Sequence, residues 1–121
     1  MTTTIYHNPR CSKSRKTLDL LTARGLSPQV VEYLKNPPDA ATLKLLLRHL
    51  GIEARQLLRD KEAIYTELNL ANVDLEADDL IAAMIDNPIL IERPIVVFED
   101  RAVIGRPPEN IDQLFGPQGS V

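Results

Sequence analysis

Thr3-Thr4-Ile5-Tyr6-His7-Asn8-Pro9-Arg10-Cys11-Ser12-Lys13-Ser14-Arg15 is the stretch whose reading decides the fold. Residues 3–7 read as a short strand, Asn8-Pro9-Arg10 breaks it, and a helical pattern begins near Cys11 or Ser12. Leu18 and Leu21, flanked by Leu20, give that helix an apolar side, and Arg24-Gly25 supplies a basic last turn and a glycine stop. Gln29-Val30-Val31-Glu32-Tyr33-Leu34 is rich in β-branched and aromatic residues and reads as a second strand. The three elements make a right-handed βαβ unit.

Working outward, Asp39 can cap a helix in which Leu43, Leu46, Leu47 and Leu50 recur at helical spacing before Gly51 ends it. The pattern then stays helical in shorter pieces, Ala54 to Arg59, Glu62 to Leu68, and Glu76 to Asp86 with Leu80, Ala83 and Met84 turned inward. Ile95 to Phe98 and Ala102 to Ile104 read as strands, with Glu99-Asp100-Arg101 as the turn between them. A last helix is expected from about Pro108 to Phe115. This order predicts an α/β chain, a thioredoxin-like mixed four-stranded sheet with a helical insertion between the second and third strands. A single domain is expected over residues 1–116, the insert at about 39–87, and a loose tail at 117–121.

A chain of 121 residues is long enough to bury a continuous core without disulfides or a structural metal. With 14 Lys+Arg against 17 Asp+Glu and a formal charge of −3, the balance argues against general attraction to nucleic acid or anionic membrane, so anion binding must be local. No apolar run approaches the roughly 20 residues that span a bilayer, and Met-Thr-Thr-Thr runs straight into the first strand without a signal core. No Cys/His cluster has metal-ligand spacing, because His7 and His49 lie far apart. A soluble, cytoplasmic protein with no bound metal and no nucleic-acid or membrane partner is expected.

Cys11, the one cysteine of the sequence, falls where the first strand passes into the first helix. Unpaired amides and the positive helix end there favour a thiolate. Arg10, Lys13 and Arg15 add positive charge, and Ser12 and Ser14 offer hydroxyls. Most lone cysteines are buried small hydrophobes, but these polar, basic neighbours fit that reading poorly. His7 is placed to interact with the thiolate or to orient a loop group. A structural histidine satisfied by a loop carbonyl is the alternative. His49, near a helix end, reads as a capping or surface residue.

The stretch from Ile5 to Arg15 resembles the active-site loop of the glutaredoxin-dependent arsenate reductases. The resemblance continues through Tyr33-Leu34-Lys35-Asn36-Pro37-Pro38, Gln56-Leu57-Leu58-Arg59, Pro88-Ile89-Leu90-Ile91-Glu92-Arg93-Pro94-Ile95-Val96 and Gly105-Arg106-Pro107. It implies a nucleophilic Cys11 that forms a covalent adduct with arsenate, and three oxyanion-binding arginines at Arg59, Arg93 and Arg106. Guanidinium groups suit that role because they donate bidentate hydrogen bonds and never deprotonate. It also implies a cis Pro94 opposite the cysteine; His7, Ser14 and Pro94 are together expected to support the site. Ser14 stands where a redox pair would place its second cysteine; it can donate a hydrogen bond to a thiolate but cannot form a disulfide. No cofactor is expected to be bound. The electrons are expected from outside thiols, glutathione as co-substrate and glutaredoxin as partner. The same resemblance leaves two alternatives, a glutathione-dependent thiol reductase with another substrate and a transcription regulator that binds RNA polymerase.

Overall fold

The computed structural model describes residues 2–115. Strand β1 (Thr3–His7) is the hub, and its alternation buries Thr3, Ile5 and His7. Helix α1 (Ser12–Ala23) returns the chain so that β2 (Gln29–Glu32) pairs parallel to β1, with Ile5 opposite Val30. Strand β2 is two residues shorter than the sequence suggests. The carbonyl of Glu32 accepts the amides of Lys35 and Asn36, which turns the chain while Tyr33 stays buried.

After the helical segment, β3 (Ile95–Phe98) runs antiparallel to β1 with Val96 opposite Ile5, and β4 (Arg101–Ile104) runs antiparallel to β3. The mixed sheet has the order β2-β1-β3-β4. Arg101, expected in the turn, is instead in the strand, paired with Phe98. The loop is therefore the two residues Glu99 and Asp100, and Glu99 takes φ 57°, the positive φ that tight two-residue hairpin loops use at their first position.

The closing helix is split into a 3-10 turn (Pro108–Ile111) and α6 (Asp112–Phe115). Ile5, Leu21, Val96, Ile111 and Leu114 form the core beside this sheet, with Phe98 and Phe115 at its edge and their rings 4.8 Å apart. Arg24 ties the end of α1 to this segment through an ion pair with Asp112 and by lying over the Phe115 ring. The tail expected at 117–121 lies outside the described residues.

The chain divides into two compact units, one formed by the segments up to Asn36 and from Arg93 onward, the other by Pro37–Glu92. The helical insert expected at 39–87 falls within the second unit. There α2 (Ala40–Leu50) begins at Asp39, whose carboxylate accepts the Thr42 amide at 2.8 Å, and ends at Gly51 with φ 70°, a left-handed stop. Helices α3 (Ala54–Leu57), α4 (Ala63–Glu67) and α5 (Ala77–Asp86) follow, then a 3-10 turn (Pro88–Leu90). Leu43, Leu46, Leu57, Leu80, Ile81, Met84, Leu90 and Ile91 are buried. Helix α3 stops two residues before Arg59, its expected end. Leu58 becomes extended and bridges Ile91, with Arg59 N donating to Leu90 O and Glu92 N to Leu57 O. The two hydrogen bonds that flank this bridge give the backbone of the extended segment the partners that helix would otherwise supply.

Candidate active site

Asn8 builds the loop that carries the cysteine. Its carbonyl accepts the Cys11 amide at 3.0 Å and its side-chain oxygen accepts the Arg10 amide at 3.0 Å. Cys11 becomes the N-cap residue of α1, in an extended conformation, and its carbonyl accepts the Arg15 amide at 3.0 Å. The residue is 8% exposed. Its sulfur stands at the end of a 12-residue helix where first-turn amides lack intrahelical partners and the helix dipole is positive. The first turn of α1 contains no acidic residue.

Arg106 lies 95 residues further along the chain, and its Nη1 donates to Cys11 Sγ at 3.9 Å. It is carried there by the end of β4, where Gly105 N donates to Pro94 O at 2.8 Å and so zips the segment after β4 to the one before β3. Gly105 is required by space. A Cβ there would lie 2.8 Å from Thr17 Oγ1 and 2.9 Å from Pro94 Cγ. Thr17, wholly buried on α1, also sends its hydroxyl to Lys13 O at 2.8 Å, with Gly105 O at 3.4 Å. Sequence reading names Gly105 only within the Gly105-Arg106-Pro107 block and does not single out Thr17. A glycine beside the Arg-Pro pair was the available signal for a close backbone approach.

Arg93–Pro94 is a cis peptide, as the resemblance implies, and Arg106–Pro107 is a second, which the sequence did not suggest. Arg93 is half-buried in the same unit as Cys11, with Nε and Nη1 screened from solvent. Arg59 belongs to the helical unit, where its guanidinium meets Glu62 at 3.5 Å and Glu92 at 3.7 Å. These two carboxylates on Arg59 were not anticipated. Arg106, one of the three expected arginines, brings its guanidinium to the sulfur.

His7 and Ser14 form a buried pair, Nδ1 to Oγ 2.6 Å, and Ser14 Oγ also accepts the Asn8 amide at 3.0 Å. The partner of His7 is thus a hydroxyl on α1 and not the loop carbonyl considered from sequence. Ser14 does not bond the cysteine: among the described residues its hydroxyl makes no hydrogen bond to Cys11 Sγ. Its geometry is taken up in fastening the strand end to the helix. Burial holds the His7 pKa below the usual imidazole value; Glu32 opposes this and Arg15 reinforces it. His49 sits with Arg48 in the last turn of α2, where positive charge complements the dipole.

No group of three or more His, Cys, Asp or Glu side chains among the described residues is arranged to hold a metal ion, and no helix among them is long and apolar enough to cross a membrane.

A parallel β-α-β unit joined to an antiparallel hairpin, a cysteine capping the first helix and a cis proline before the third strand define a thioredoxin-like thiol protein. More particularly, the chain belongs to the ArsC family, which it matches over residues 6–114. It is 58% identical over 113 residues to the uncharacterized protein YfgD of Escherichia coli strain K12, covering 93% of this chain and 95% of that one. It is 50% identical over 112 residues to an arsenate reductase of Neisseria meningitidis serogroup A, covering 92% of this chain and 96% of that one. The structure of an arsenate reductase from Vibrio cholerae superposes with a TM-score of 0.91 at 51% identity, covering 93% of this chain and 97% of that one.

Proposed function

We propose that this protein is an oxidoreductase that reduces arsenate to arsenite, with Cys11 as its nucleophile. The observation that carries the reading is a cysteine at the amino end of a helix with an arginine N–H on its sulfur at 3.9 Å, in a chain whose relatives include arsenate reductases. A thiolate in that setting is a competent nucleophile and the same cationic surroundings attract an oxyanion.

In the proposed sequence the Cys11 thiolate attacks arsenic, an arsenate oxygen leaves as water after taking up protons, and a sulfur–arsenic bond forms. Glutathione thiolate then attacks the Cys11 sulfur. The sulfur–arsenic electron pair passes to arsenic, arsenite departs, and a mixed disulfide of Cys11 with glutathione remains. A thiol of glutaredoxin releases Cys11 from it. Two thiols lose one electron each and arsenic gains both. Ser14, at the position that would hold a second cysteine, makes an internal disulfide with Cys11 impossible there, which supports an outside electron source and a reducing, cytoplasmic setting. Arg106 is proposed to hold the oxyanion together with Arg93 and Arg59. His7 positions Ser14 and with it the loop, and Pro94 supports the site through its carbonyl, which accepts the Gly105 amide at 2.8 Å.

The test is arsenite production by purified protein with glutathione and glutaredoxin, each thiol source omitted in turn, beside Cys11→Ser. Turnover that needs Cys11 and both thiols is expected. Substantial turnover by Cys11→Ser would remove the nucleophile assignment, and a reactive Cys11 without arsenite formation would move the function to another substrate. Arg106→Ala is expected to lower kcat/KM for arsenate by about one to two orders of magnitude, the worth of a hydrogen bond to a charged group; unchanged kinetics would make Arg106 a surface residue.

A further inference from the structure

On the β2 side of the cysteine loop lies a cavity of about 250 Å³ lined by His7, Asn8, Pro9, Arg10, Glu32, Leu34 and Lys35. Nothing in the proposed arsenate chemistry uses it. Its walls carry two cations, Arg10 and Lys35, one carboxylate, Glu32, and an apolar strip formed by Pro9 and Leu34. The Arg10 guanidinium makes no hydrogen bond or ion pair among the described residues; only its backbone amide is used, by Asn8. Lys35 meets Glu32 at 3.7 Å across a pair whose side chains are 76% and 41% exposed. So open a pair contributes little stability and can exchange partners readily.

The geometry points to this cavity as the subsite for the thiol co-substrate, a small peptide thiol with a zwitterionic amino-acid end, the chemistry that the γ-glutamyl end of glutathione supplies. This rests on the reading of Cys11 as a thiol-exchanging nucleophile. An α-amino-acid group needs an anion for its ammonium and a cation for its carboxylate within a few ångströms of each other; Glu32 and Lys35 present that pair, and Arg10 adds a second donor. A wholly basic pocket would suit a bare anion such as arsenate, whereas a mixed one suits a zwitterion. Reach agrees with the assignment. A tripeptide extends to about 10 Å, and consecutive Cα atoms are about 3.8 Å apart, so a ligand whose thiol meets Cys11 can set one end beside the adjacent Arg10. Leu34, 42% exposed, offers apolar cover for the ligand's methylene chain.

The experiment is a titration of the full chain with S-methylglutathione, which binds but cannot exchange thiols, followed by amide NMR shifts. The same titration is run on Lys35→Glu and Glu32→Gln, with S-methylated γ-glutamylcysteine and cysteinylglycine as ligand fragments. Shifts clustered at residues 7–10 and 32–35 are expected, with affinity about tenfold weaker in Lys35→Glu, the loss of one charged contact, and with the γ-glutamyl fragment retaining binding. In turnover, the same variant should raise KM for glutathione and leave KM for arsenate unchanged. Shifts confined to other segments, or wild-type affinity in Lys35→Glu, would overturn the subsite; retention of the cysteinylglycine fragment alone would overturn the end assigned to it. Because the ligand is unreactive, binding with these features in a protein that makes no arsenite would sink the arsenate reading while leaving the subsite standing.

Discussion

The sheet unit and the helical unit bury different things. Every buried polar side chain among the described residues, Thr3, His7, Ser14 and Thr17, lies in the sheet unit, while the buried side chains of Pro37–Glu92 are alanine, leucine, isoleucine, methionine and proline. A buried polar group costs stability unless it is hydrogen-bonded, and His7, Ser14 and Thr17 all find partners on or beside α1. The sheet unit therefore spends stability on fixing the segments around Cys11, and the helical unit is held by apolar contact. Its charged residues bear this out at the rim: Arg59 lies against two carboxylates and Lys44 meets Asp78 at 3.3 Å.

Substitutions in the two units should therefore separate stability from thiol reactivity. The largest stability effect is expected for Met84→Ala, which empties a fully buried position of the helical unit and should cost about 2–5 kcal/mol in urea unfolding. The rate at which iodoacetamide alkylates Cys11 in the folded protein should stay as in the wild type, and a parallel change in that rate would break the contrast. Gly105→Ala comes next. The added methyl meets the Thr17 hydroxyl and the Pro94 ring, and overpacking of this kind costs about 1–3 kcal/mol. Here the alkylation rate should change as well, because the segment that carries Arg106 must shift; a stable variant with wild-type reactivity would show that the close approach is incidental.

The smallest effect is the pH dependence of His7. Burial favours its neutral form, so the folded pKa lies below the unfolded value of about 6.5. At a pH between the two the unfolded chain binds more protons, and stability must rise with pH there. The contribution is complete above about pH 6.5 and fades as pH falls through the lower folded value. Thermal unfolding of the wild type followed from pH 7.5 to 5 should show this loss, and His7→Asn should flatten it. An equal slope in the variant would assign the dependence to other groups.

Much of the fold was legible because local physics decided it. Pro9 ends the first strand, a leucine repeat with Asp39 before it and Gly51 after it can form only a capped amphipathic helix, and the apolar runs around Glu99-Asp100 make a hairpin. The boundaries that were misplaced depend on which backbone groups meet, across the chain for Leu58 and within a turn for Glu32 and Arg101. Helix α3 ends early because Leu58 pairs with Ile91, β2 ends at Glu32 because two later amides turn back to its carbonyl, and Arg101 enters β4 because Phe98 lies opposite it.

The cysteine and its setting at the start of a helix followed from sequence alone, since a strand, a breaking Asn-Pro and a helical pattern fix the position of one side chain relative to its own neighbours. Chain identity could not decide what approaches that side chain from elsewhere. Arg106 at the sulfur, Ser14 turned to His7 instead of the thiol, the carboxylates on Arg59 and the tight fit of Gly105 against Thr17 all come from the tertiary structure. Contacts between residues up to 95 positions apart are set by how the sheet closes on its helices, and local preference carries no information about that closure.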